Sequence, residues 1–521
     1  MKKLLTLVLL LVTVVCARAQ LSNAMDMSLR KLSIAQLAIS SLYVDSVNEN
    51  KLTESAIEGM LKSLDPHSSY TNAEETRKLN EPLEGNFEGI GVQYNMLEDT
   101  LVVIQTVAKG PSEKVGILAG DRIISVDDTI IAGVKRSRDD IMSRLRGPKN
   151  SKVRLGVIRR GVKEILYFTV MRDKIPVNSM DAAYMLRPGI GYIRLGNFGA
   201  TTHKEMTEAI ALLEKKGMKK LVLDLQSNGG GYLNAAIDVS NEFLQQGDLI
   251  VYTQGRTSPH VEYKAKGGGS FRKGDLVILT DEFTASAAEI VAGGMQDQDR
   301  GVIVGRRSFG KGLVQRPIML PDQSMIRLTV AHYYTPSGRC IQKPYKKGDR
   351  ADYDLDVLNR FKHGEMMNQD SIHFADSLQF KTLHKKRTVY GGGGIMPDYF
   401  IPLDTTRYTK YYQDLRMKSL IVNNSLKYID HHRAELKAKY KKFEDFDKKY
   451  EVPQEQIDAL IADGKAMKVE PKDLDELEKT LPIVKLILKA LTARDIWDMS
   501  EYFQIMNTDN PSVKKALELL K

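Results

Sequence analysis

Residues 284–315 read "TASAAEIVAGGMQDQDRGVIVGRRSFGKGLVQ". Their reading decides the fold, because three structures each fit part of them. Gly305 to Lys311 match the G-x4-G-K spacing of a phosphate loop. Such a loop needs Ser or Thr after the lysine and a helix starting there. Here Gly312 follows Lys311, and "LVQRPIML" has the texture of a strand. Ser286 and Glu289 form an S-x-x-E box, which caps a helix N-terminus. An apolar strand "DLVILT", a helix from Ala287 and a second strand "GVIVG" make an α/β layer.

The same rhythm extends in both directions. "GIGYIRLGNF", "THKEMTEAIALLEKKG", "KKLVLDLQSN" and "LNAAIDVSNEFLQQ" alternate strand and helix, so residues 174–405 are expected to form an α/β core with a parallel or mixed sheet. Residues 85–173 change texture to short alternating runs divided by Gly, Asp and Pro, with one helix in "SRDDIMSRLRG", which predicts a mainly β domain. Residues 20–84 have apolar residues at helical spacing, interrupted by a turn at "DPHSSY". The Lys- and Leu-rich stretch 406–521 also reads as helices, with solvated basic faces.

At 521 residues the chain exceeds one compact core. Its 42% hydrophobic and 27% charged content is that of a globular protein. The net charge of +10 is modest for the length and spread along the chain, so no nucleic-acid partner is expected. Residues 1–19 carry Lys2 and Lys3, an apolar run from Leu4 to Val15 and Ala17-Arg18-Ala19, the layout of a cleaved signal peptide. Export to a bacterial periplasm or the exterior is the expectation. Lipid attachment at Cys16 is the rival, disfavoured by the branched Val15 before it. No later stretch is long and apolar enough for a membrane span. Cleavage would leave Cys340 as the sole cysteine, read as a packed small residue.

Ser286 at a helix start is placed for acyl transfer. The Ala287 N–H would point into the space beside Oγ, where the helix dipole favours negative charge. A lysine can serve as base once burial favours its neutral form. Lys311 lies between two glycines, and if "KGLVQ" is extended, Gln315 shares its face. Neither H-E-x-x-H nor G-x-S-x-G occurs, and no metal or other cofactor is expected. S-x-x-K occurs as "SLRK" (Ser28 to Lys31) and "SVKK" (Ser512 to Lys515) without the K-T-G of penicillin-binding enzymes, so both read as helix surface.

Gly89-Ile90-Gly91-Val92 and "GPSEKVGILAGDRIISVDD" resemble the signature of a PDZ domain. The resemblance implies that residues 89–92 capture a chain-terminal carboxylate while the peptide adds as a strand. The stretch 284–315 closely resembles the signature of the carboxy-terminal processing, or tail-specific, serine peptidases. "SLDPHSSY", "DLQSNGGG" and "GGGGIMPD" add to it, over roughly residues 30 to 405. This resemblance implies a ClpP/crotonase-like α/β core with an inserted PDZ domain and helical N- and C-terminal regions. It also implies Ser286 as nucleophile, Lys311 as base and Gln315 as its orienter, with an oxyanion hole from Ala287 and Gly230 or Gly231. Substrates would be protein or peptide C-termini, and a homodimer is possible. The family usually reads D-L-R-x-N-P-G-G, where Gln226 and Gly229 stand here. That departure keeps a second expectation open, an inactive PDZ-based adaptor or chaperone.

Overall fold

The computed structural model describes residues 26–406 and 408–521. The expected signal peptide and Cys16 lie outside the described residues. The chain divides into two compact units. Of the described residues, the smaller takes 26–76 together with 315–329 and 345–354, and the larger takes 77–314, 330–344 and 355–521.

In the smaller unit, residues 26–42 and Glu49–Lys62 are helical, as their apolar spacing predicts. The second helix starts at Asn48, whose side chain accepts the Lys51 N–H at 3.0 Å. Helix 26–42 leaves Leu29, Ile34 and Leu37 exposed. The expected turn at "DPHSSY" covers only its first residues. Ser69–Thr71 is a strand, antiparallel to Met325–Arg327. A pairing partner so distant in the chain leaves no local mark. Asp65 builds the turn: its carboxylate accepts the N–H groups of His67 (2.9 Å) and Ser68 (3.1 Å) and the hydroxyls of Ser68 and Thr329. Burial pushes the Asp65 carboxyl up, but those hydrogen bonds outweigh it and hold it below the usual value.

The larger unit is built on a six-stranded sheet. Met180–Arg187 runs antiparallel to Ile190–Leu195, and Lys220–Asp224, Asp275–Thr280, Val302–Gly305 and Tyr399–Phe400 follow in parallel. The strands are apolar at consecutive positions because both faces are covered. Leu221, Leu223, Ile278 and Ile303 pack with helices Thr202–Lys215, Leu233–Asn241 and Ala287–Asp297. Tyr192, Val222, Val277, Leu279 and Val304 point the other way, onto Val513, Ala516 and Leu520 of the tail.

Residues 92–171 form the expected mainly β domain. Its sheet runs Val92–Leu97, Thr100–Thr106, Arg122–Val126, Lys152–Ile158, Leu166–Met171, with Arg138–Leu145 helical. Val92–Leu97 is an edge strand. The tail is helical, including Leu420–Lys439, Leu474–Ile496, Met499–Met506 and Pro511–Leu519. Asp430 on the first of these meets Arg122 (2.8 Å) through its carboxylate and Arg160 (2.8 Å) through its carbonyl. "SLRK" lies on the exposed surface of a helix, as expected, whereas in "SVKK" Ser512 and Val513 are buried, Val513 against the catalytic sheet, which corrects the expectation of helix surface there. No helix among the described residues is long and apolar enough to cross a membrane.

Candidate active site

Ser286 joins the turn after strand Asp275–Thr280 to helix Ala287–Asp297. Its backbone is at φ 57°, ψ −117°, a conformation that costs a non-glycine residue about 1–3 kcal/mol. The expected S-x-x-E box is in place. Glu289 Oε2 accepts the Ser286 N–H at 2.8 Å, and the Glu289 N–H also reaches the Ser286 carbonyl at 2.9 Å.

Glu289 is fully buried and does more than cap. Its Oε2 also accepts the Lys311 N–H at 2.9 Å, and its Oε1 accepts the Gly310 N–H (2.7 Å) and the Ser308 hydroxyl. One carboxylate therefore ties the serine turn to the lysine loop. Burial pushes the Glu289 carboxyl up, and these donors oppose the shift. Lys311 is half-buried and is followed by strand Leu313–Met319, not by a helix. The phosphate-loop geometry is absent there. Tyr333 adds a second tie, donating from its hydroxyl to the Ser286 carbonyl (3.1 Å) and from its N–H to the Gly312 carbonyl (3.0 Å).

The "DLQSNGGG" loop is bolted to the serine turn. Asp281 accepts the N–H groups of Ser227 (2.9 Å) and Thr284 (3.0 Å), Thr284 Oγ1 donates to the Leu225 carbonyl (2.8 Å), and the Ala285 N–H donates to the Asn228 carbonyl (2.9 Å). A β-carbon on Gly230 would lie 2.8 Å from Ser286 Cβ and 2.9 Å from the Ala287 nitrogen. Glycine is required there for space, and also for its φ of 98°. Gly231 is equally confined, with a β-carbon 2.1 Å from the Phe198 carbonyl oxygen. Of the two expected donors, the Gly230 N–H is engaged by Asn228 Oδ1 at 2.9 Å.

Gln315 belongs to the smaller unit, where its Nε2 donates to the His67 carbonyl at 2.6 Å. Its extended setting is as expected. In the β domain, the Ile90 carbonyl accepts from Ser112 N–H (3.1 Å) and Oγ (2.7 Å), and the Gly91 carbonyl accepts from Val107 N–H (3.0 Å). Across a trans peptide the next N–H points opposite to the carbonyl. The N–H groups of Gly91 and Val92 thus turn away from Ser112 and Val107, beside the edge strand. Gly89 ends strand Asn86–Gly89, paired with Asp173–Pro176. Cys340 is half-buried, its Sγ 3.9 Å from His332 Nδ1, and burial pushes its thiol up. Among the described residues no cluster of His, Cys, Asp and Glu could hold a metal ion.

Comparison with known proteins identifies the family. Residues 189–353 match the family model "Peptidase family S41", 89–170 match "PDZ domain", and 13–76 match "Activating protease CtpB N-terminal domain". Residues 411–498 match a family of unknown function. The carboxy-terminal processing protease CtpA of Bacillus subtilis is 34% identical over 349 residues, 65% of this chain and 74% of that protein. The chain belongs to peptidase family S41. It is a serine-type peptidase of the carboxy-terminal processing group. A carboxy-terminal-processing protease of Bartonella bacilliformis is 39% identical over 305 residues, 58% of this chain and 69% of that one. A solved photosystem II D1 C-terminal processing protease is 31% identical, covering 59% of this peptidase and 88% of its own chain, with a TM-score of 0.34. The family assignment therefore rests on the sequence relatives.

Sequence reasoning saw Glu289 only as a helix cap and missed Tyr333, Asn228 and Asp281. The i,i+3 spacing of Ser286 and Glu289 was visible, but the second set of donors, from Ser308 to Lys311, had no local signal. "GGGGIMPD" was noted only as a match. Its Ile395 N–H donates to Ser308 Oγ (2.6 Å), buttressing the lysine loop from behind.

Proposed function

We propose that this peptidase cuts protein substrates near their C-termini through an acyl-enzyme on Ser286. The observation that carries the proposal is the shared Glu289 carboxylate, which holds the serine turn and the lysine loop together. In this reading neutral Lys311 takes the Ser286 hydroxyl proton as Oγ attacks the scissile carbonyl. The proton then passes to the leaving amine, and Lys311 activates the water that releases the acyl group. The Ala287 N–H is the first oxyanion donor. The second is Gly231, or Gly230 once the Asn228 contact yields to the substrate oxygen. Gln315 steadies the Lys311 amine, a role implied by family resemblance. Residues 89–92 hold the substrate carboxylate, and the peptide adds along edge strand Val92–Leu97.

The protein is proposed to be exported, its signal peptide removed before Gln20. A homodimer would draw on helix 26–42, whose apolar residues stay exposed. Sedimentation of the mature chain tests that.

The deciding experiment is a paired digestion. Mature protein and its Ser286→Ala form are each incubated with an unstructured protein ending in apolar residues, and fragments are read by mass spectrometry. Cleavage by the wild type alone supports the assignment. Cleavage by both rejects Ser286, and cleavage by neither, with both folded and binding peptide, favours the adaptor.

A further inference from the structure

The tail touches the loop that approaches the nucleophile. Gln226 opens that loop and is fixed on three sides. Its N–H donates to Asp224 Oδ1 (2.8 Å), its carbonyl accepts from Arg194 Nη2 (2.7 Å), and its side-chain Oε1 accepts from Asn510 Nδ2 (3.2 Å). One of these three comes from the tail, and a second lies against it. Asn510 is a tail residue, and the Arg194 guanidinium lies 4.6 Å from the centre of the Phe503 ring.

Arg194 is itself well determined. Its Nη1 donates to buried Asp224 Oδ2 at 2.6 Å and its Nε lies 3.2 Å from Asp181 Oδ2. Phe503 covers this cluster, and Asn507 on the same segment donates to the Tyr184 hydroxyl at 2.8 Å. A 260 Å³ cavity lined by Arg194, Asp224, Gln226, Phe503 and Asn510 lies at this junction. The tail also supplies Val513, Ala516 and Leu520 to the second face of the catalytic sheet. Packing anchors the segment, and its polar residues then meet Gln226.

We propose that residues 499–519 form a built-in clamp on the loop from Gln226 to Gly231, with Asn510 as a positioning residue for the peptidase reaction. The clamp rests on the Ser286 reading for its catalytic consequence, but not for its mechanical one. It fixes the first residue of the loop, and Asp281 and Asn228 carry that constraint to Gly230, next to Ser286 and Ala287. Loss of the clamp loosens the loop where the transition state needs preorganised donors. It leaves the PDZ domain and substrate capture untouched.

The test uses Asn510→Asp in the full chain. Asn510 caps helix Pro511–Leu519 through Oδ1, which accepts from Ser512 N–H. Aspartate keeps that cap but puts a charged acceptor where Nδ2 donates to Gln226 Oε1 (3.2 Å) and to Asn507 Oδ1 (3.3 Å). Hydrogen exchange in peptides spanning 225–231 is expected to quicken while exchange in the strand 275–280 is unchanged, and kcat to fall about five- to tenfold with KM unchanged. Adding Gln226→Arg gives the introduced carboxylate an ion-pair partner and should restore both readouts. Wild-type exchange and kcat in Asn510→Asp would overturn the clamp, as would a defect that Gln226→Arg does not repair. The exchange measurement is repeated in a Ser286→Ala background. Loosening there, without any wild-type cleavage, would keep the clamp and reject the Ser286 reading alone.

Discussion

Ser286 and Lys311 hang on one atom. Their N–H groups donate to the same oxygen, Glu289 Oε2, at 2.8 and 2.9 Å. The other oxygen holds Gly310 and Ser308. All four groups are donors, so only an acceptor-only carboxylate satisfies them. Glu289→Gln presents an amide NH2 to two of the four, whichever way it turns. We expect turnover to fall at least about 100-fold, and stability to drop by about 2–4 kcal/mol as buried donors lose partners. Steady-state kinetics and urea unfolding measure the two effects. Wild-type turnover in this variant would remove the carboxylate from the mechanism.

The proposed base, Lys311, acts only in its neutral form, and a free lysine with pKa about 10.4 is far less than ~1% neutral at pH 7. Arginine in the same place keeps the charge and cannot lose a proton. Lys311→Ala and Lys311→Arg are both expected to lower kcat by about 10²–10⁴-fold, with thermal midpoints near wild type. Near-normal activity in Lys311→Arg would mean that another group is the base.

The family was legible in the sequence to the extent that its mark is local. Ser286, Lys311 and Gln315 lie within one stretch, and their order and spacing resemble the family signature. Asp281, Asn228 and Tyr333 were not legible, because each acts on a partner far along the chain. The docking of the tail had a signal that went unused. "LVLDL" and "LVILT" carry apolar residues at consecutive positions, which demands cover on both faces of the sheet. Helices Thr202–Lys215, Leu233–Asn241 and Ala287–Asp297 share one face. Something else had to supply Val513 and Leu520 to the other.

Asp65 gives a pH signature to the smaller unit. Its folded pKa is depressed, because hydrogen bonds from Ser68, Thr329 and the His67 N–H outweigh its burial. The stability it contributes is therefore present above its unfolded value of about 3.9. It is lost as pH falls through the lower folded value. Asp65→Asn should reduce the melting temperature at pH 7, and the gap from wild type should close on acidification below about pH 4. Calorimetry across that range checks it. A gap that widens towards acid would reverse the sign and the assignment.

Gly230 and Gly229 separate steric from chemical reasons for glycine in the loop. Gly230 is at φ 98° and faces Ser286 Cβ at 2.8 Å from any added methyl. Gly229 has nothing within 4 Å of an added β-carbon. The serine turn carries a positive φ without the flanking glycines of a G-x-S-x-G elbow, so the room it needs is provided by the loop opposite. Gly230→Ala must push that loop away from Ser286 and the Ala287 N–H. We expect it to cost at least about 100-fold in kcat, the scale of losing one oxyanion donor, while Gly229→Ala stays within about threefold of wild type. Measuring kcat for the pair with one unstructured substrate decides the matter. Equal losses in both variants would show that general loop stiffness, and not the approach of Gly230 to Ser286, is what the glycines provide.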